Sequence, residues 1–90
     1  MTQDSKEHFG GLILVRTLGV QTDQWTVYLD GGPGQPGRLI GEVVFDPQGL
    51  DPRPWLASDL AGRALLNAYG QWRTFGSRRA AAEALKRARP

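Results

Sequence analysis

The chain has 90 residues, the length of one small domain, and a chain of this size buries only roughly 60–65% of its unfolded surface, so its stability is modest or shared with a partner. It contains no cysteine, which excludes disulfides and thiolate metal sites and fits a reducing compartment. The formal net charge of +2 hides an asymmetry, because residues 1–46 carry three bases and six acids while residues 47–90 carry eight bases and three acids; such a split between halves points to a polyanionic partner.

The start, MTQDSKEHF, is polar. Residues 1–9 are expected to form a flexible tail and residues 10–90 a single small α+β domain. No apolar stretch follows a basic one near the start, so no signal peptide is expected. The longest apolar run is LILV, far short of the roughly 20 residues that cross a bilayer. The expectation is therefore a cytoplasmic protein with no membrane partner. Nine arginines against two lysines suit a GC-rich genome, and a bacterial or phage-like origin is in keeping with that.

GLILVRTLG predicts a strand over 11–18, apolar, partly β-branched and bounded by glycines. TDQWTVYLD alternates, with Trp25, Val27 and Leu29 on one face and Thr26, Tyr28 and Asp30 on the other, the pattern of a half-buried strand. GGPGQPG, residues 31–37, is a loop by its four glycines and two prolines. RLIGEVVFD predicts a third strand with Gly41 as a bulge, paired antiparallel to the preceding one across that loop. DPQGLDPRP, residues 46–54, holds three prolines and breaks the chain again.

Residues 55–70 read two ways. Ser58 can cap a second helix near 58–69 that places Leu60, Ala64, Leu65 and Ala68 on one side and ends at Gly70. An echo between WTVYLD…GRLIGEVVF and WLASD…GRALLNAYGQWRTF favours strands instead, and the β reading is preferred. QWRTF, residues 71–75, predicts a strand with Trp72 and Thr74 on one face and Arg73 and Phe75 on the other. Gly76 turns the chain and Ser77 caps a helix over 78–88 with an apolar stripe of Ala81, Ala84, Leu85 and Ala88. The fold class expected is thus an antiparallel sheet of three to five strands packed by a C-terminal α-helix.

The stretch WRTFGSRRAAAEAL resembles the strand-to-helix corner of small DNA-binding domains built of a three-stranded sheet and a helix, such as the arm-binding domains of tyrosine recombinases. The likeness spans about fifteen residues. It implies the same sheet-then-helix topology and, in those families, a sheet that enters the major groove.

Chemistry is sparse. No GxxxxGKS/T or GxGxxG spacing occurs. His8 is the lone histidine and falls in the expected tail, and Ser77 has no histidine to act as its base. A non-enzymatic protein without cofactor or metal is expected. Most of the aromatic side chains are expected in the core of so small a chain, with Tyr28, on the polar face of its strand, the first of them to be exposed. The C-terminal helix is different. Lys86, Arg87 and Arg89 suit the negative end of a helix dipole, and Glu83 is spaced to pair with Arg79 and Arg87. Arg78 and Arg79 stand at the helix N-terminus, where the dipole disfavours cations and where phosphates bind. Arg73 lies close by in sequence. Arg73, Arg78, Arg79, Lys86, Arg87 and Arg89 are accordingly the candidate phosphate contacts of a nucleic-acid-binding, and in the first instance DNA-binding, regulatory or accessory protein. The alternative is a small protein–protein interaction module (an adaptor, accessory subunit or inhibitor of a larger complex) whose small core and sheet edges leave room for a homodimer.

Overall fold

The computed structural model describes residues 6–19, 22–35, 37–46 and 54–88. Five strands form one antiparallel sheet in simple meander order: β1 (Lys6–Phe9), β2 (Leu12–Arg16), β3 (Gln24–Leu29), β4 (Arg38–Phe45) and β5 (Trp55–Asp59). One helix, α1 (Arg78–Arg87), packs against β3, β4 and β5. This is the small α+β fold expected, with the sheet at five strands.

Strand alternation sets the layers. Trp25 and Val27 of β3 stand across from Arg16 and Leu14 of β2 and from Val43 and Gly41 of β4. Trp25, Val27, Leu12, Leu14, Val43, Trp55 and Ala57 form one buried core with Ala81, Ala82, Ala84 and Leu85 of the helix. Phe45 and Trp55 meet edge to face at 5.5 Å, a favoured geometry for aromatic pairs. The small helix residues let α1 lie close to the sheet. Gly41 marks the tightest point: a Cβ there would collide with the Ser58 carbonyl oxygen and come within 3.2 Å of both Leu85 methyl groups. The register between β3 and β4 shifts beside it, so Val27 faces Gly41 while Tyr28 faces Leu39. This is the bulge expected at that glycine.

Residues 6–9 are not the loose tail that the polar start suggested. Glu7 and Phe9 pair with Leu14 and Leu12, and Phe9 packs against the core. The turn that allows this is Gly10–Gly11, with φ of 52° and 77°. Two consecutive residues at positive φ make the tight hairpin turn whose twist matches the strands.

Residues 55–70 hold no helix. Trp55–Asp59 are β5, in keeping with the β reading, and the chain then makes two turns of the same design. The Asp59 carboxylate accepts hydrogen bonds from the Ala61 and Arg63 amides, and the Asn67 amide oxygen does the same for Tyr69 and Gln71. Asp59 N–H donates to the Arg63 carbonyl and Asn67 N–H to that of Gln71. The third residue after each, Gly62 and Gly70, has φ of 78° and 76°. Asp and Asn side chains compete with the helix for backbone donors, and a residue at positive φ ends any helical run. The apolar spacing that suggested a helix over 58–69 is overridden by these two turns.

QWRTF is likewise not a regular strand. Its residues make single bridges, Trp72 to Leu66 and Phe75 to Trp55. The chain here follows the narrow ribbon set by the Asn67 turn and pairs with the edge of β5 at Phe75. Phe75 is consequently buried and Trp72 is not.

Candidate nucleic-acid interface

Ser77 caps α1 as expected: its hydroxyl accepts from the Ala80 amide at 3.1 Å, and its own backbone is extended. The first turn of α1 contains no acid. The missing negative charge comes from β1. Glu7 lies on the helix side of the sheet, in register with Leu14, and accepts from both Arg78 and Arg79. Arg78 Nε reaches it at 3.1 Å and Arg79 Nη2 at 2.8 Å. Each guanidinium also covers an aromatic ring, Arg78 over Trp25 at 4.4 Å and Arg79 over Phe9 at 5.2 Å. The hydrogen bond from Arg79, with the charge of Arg78 beside it, holds the Glu7 carboxyl below its ordinary pKa against the opposing effect of burial. Lys86 completes this side by donating from Nζ to the Gly10 carbonyl at 2.9 Å.

The reason for this arrangement is geometric. Five strands span about 19 Å between the outer two, and a helix lying over β3 to β5 leaves β1 and β2 uncovered. Arg79, over Phe9, and Lys86, at the Gly10 carbonyl, reach across that remainder, while Arg78 covers Trp25 beside it and shares Glu7 with Arg79. Long basic side chains often cover apolar surface in this way.

The six candidate cations therefore divide. Arg78, Arg79 and Lys86 face β1 and its turn. Arg73 and Arg87 stand on the other flank of α1, where Arg73 lies over Phe75 at 5.1 Å. Arg89 lies outside the described residues. Between α1 and the 67–76 segment runs a groove of two adjoining hollows. One, of about 530 Å³, is lined by Asn67, Gln71, Trp72, Arg73, Thr74, Phe75, Gly76 and Ala80. The other, of about 330 Å³, is lined by Arg73, Phe75, Ala80, Glu83, Ala84 and Arg87. Glu83, expected to pair with Arg79 and Arg87, sits at one end of this groove and near Gly10. Arg79 instead engages Glu7.

Trp72 is the residue that sequence reading misplaced. Most aromatics were expected in the core, but Trp72 is 51% exposed and Tyr69, at the neighbouring turn, is 88% exposed. Tyr28, expected to be the open one, is half-buried on its strand. The Asn67-x-x-Gly70 turn was the available signal, because a ribbon so short cannot carry Trp72 back under the helix.

Among the described residues no group of His, Asp and Glu is arranged to hold a metal, and no helix is long and apolar enough to cross a membrane. No protein-family model, curated protein or solved structure matches the chain.

Proposed function

We propose that the protein is a non-enzymatic nucleic-acid-binding accessory or regulatory factor, and that it binds through the groove between α1 and the 67–76 segment. The observation that carries this reading is the meeting of Arg73, Arg87 and a half-exposed Trp72 along one groove whose only acid is Glu83. Residues 54–88 contain six cations against two acids, so the surroundings of the groove are electropositive and favour a polyanion. Arg79 and Lys86, on the opposite flank of the helix, remain exposed and extend the same field. Arg78 and Arg79 contribute less than their number suggests, because Glu7 neutralises one charge of the two.

The test is fluorescence anisotropy with labelled mixed-sequence DNA and RNA at about 50 and 200 mM salt, where contacts to several phosphates make affinity fall steeply. An Arg73→Glu/Arg87→Glu variant is expected to lose binding. Absence of binding by the wild type at the lower salt would overturn the reading.

A second reading has its own observation. The face of the sheet away from α1 carries Ile13, Val15, Tyr28, Leu39, Val44 and Leu56 interspersed with His8, Gln24, Thr26 and Ser58, with Lys6 and Glu42 as its base and acid. No described element covers it. A face of mixed apolar and polar residues with almost no net charge suits a protein partner better than a phosphate backbone. Light scattering across a concentration series, with Leu56→Glu as the disrupting variant, tests that reading.

A further inference from the structure

We infer that the groove takes single-stranded rather than duplex nucleic acid, with one base stacked on Trp72 and the flanking phosphates on Arg73 and Arg87. This rests on the nucleic-acid reading above and goes beyond it to the form of the ligand.

Three observations support it. First, Trp72 lines a hollow rather than standing on a convex ridge. In a duplex the faces of each base are covered by its neighbours, so a ring within a concavity reaches a base face only if the base has left the stack. Second, the two arginines lie along the groove in sequence with the ring: Trp72 and Arg73 line the larger hollow, Arg73 and Arg87 the smaller. Such interleaving of a stacking platform with a basic track is how single strands are held without sequence preference. Third, the turn of the hairpin beside the groove closes on its own backbone. The amides of Asn67, Tyr69, Gly70, Gln71 and Arg73 all donate within the 65–71 segment. The groove presents a ring face beside positive charge, and an unpaired polynucleotide uses both where an acidic peptide's carboxylates use only the charge.

The protein supplies its own probe. Trp25 and Trp55 are 5% and 8% exposed, and Trp72 is 51% exposed, so a ligand that stacks on tryptophan from outside quenches the emission of Trp72. The experiment is a tryptophan-fluorescence titration of the full chain with oligothymidylate, with a mixed-sequence duplex of equal length, and with polyglutamate. Oligothymidylate is expected to quench at lower concentration than the duplex. Trp72→Ala is expected to weaken oligothymidylate binding roughly tenfold, in the range of one lost base stack, as read by anisotropy. Trp72→Phe keeps a stacking ring and is expected to retain most of the affinity, which separates loss of stacking from loss of fold. Arg73→Ala and Arg87→Ala should each reduce the salt slope by about 0.7, the value for a single-strand phosphate contact.

Duplex binding that equals or exceeds single-strand binding, without Trp72 quenching, would overturn the inference and leave the nucleic-acid reading standing. Quenching by polyglutamate but not by oligothymidylate would overturn it in favour of an acidic peptide. Binding of neither nucleic acid would remove both the inference and the function beneath it.

Discussion

Glu7 and Arg79 are 72 positions apart in the chain and meet at 2.8 Å. The contact joins the first described strand to the first turn of the only described helix. It resolves the puzzle of two arginines at a helix N-terminus, since the acid that such a position favours is supplied from the sheet rather than from the helix itself.

Glu7→Gln removes that charge and keeps the shape. The Glu7 side chain is only 17% exposed, while those of Arg78 and Arg79 are 34% and 59% exposed. The expected loss is about 1 kcal/mol, near the upper end for pairs with an exposed partner. Urea unfolding checks it: the midpoint should fall with little change in slope. An unchanged midpoint would show that the latch adds nothing to stability.

The same carboxyl makes stability depend on pH. Its pKa is lowered on folding from an ordinary value of 4.5, so its stabilisation is complete above that value. It is lost as pH falls through the lower folded value, where the carboxyl takes up its proton. Thermal unfolding of wild type and Glu7→Gln between pH 7 and pH 3 should show a constant gap above about pH 5.5, closing below pH 4.5. A gap that widens on acidification would contradict the arrangement.

Gly41→Ala and Gly62→Ala separate crowding from backbone strain. Both positions have positive φ, but nothing lies within 4 Å of a Cβ at Gly62, whereas at Gly41 the Ser58 carbonyl and Leu85 are in the way. Gly62→Ala should cost about 1 kcal/mol, the strain of a left-handed residue. Gly41→Ala should cost about 3 kcal/mol or more, because the sheet and helix must part. Denaturation midpoints for the two variants decide it, and equal midpoints would contradict the close approach of β4, β5 and α1.

Ser77→Ala removes the cap on the Ala80 amide. The expected cost is about 1 kcal/mol, seen as a fall in thermal midpoint of roughly 4–8 °C for a domain of this size. Ser77→Asp should restore most of it, and a fall as large as that of the alanine variant would contradict the capping role.

Sequence alone determined the parts governed by local chemistry. Alternation in QWTVYL placed Trp25 and Val27 inside, the glycines and prolines of 31–37 turned the chain between paired strands, and Ser77 started the helix. Those outcomes need only neighbours within a few residues. Other turns carry local signals too: Gly10–Gly11 sets the hairpin that makes β1 a strand, and Asp59 and Asn67, each three residues before a glycine, favour turns over a helix across 58–69. The candidate site was a different matter. The basic residues were visible, but which of them share a surface was not. Register pairs Glu7 with Leu14 and so brings a carboxylate under Arg78 and Arg79, a relation set by strand order across some seventy residues. The narrow span of α1 across a five-stranded sheet then turned three cations toward β1 and left Arg73 and Arg87 beside Trp72. Only tertiary structure decided that division, because it depends on where a helix too narrow for its sheet comes to rest.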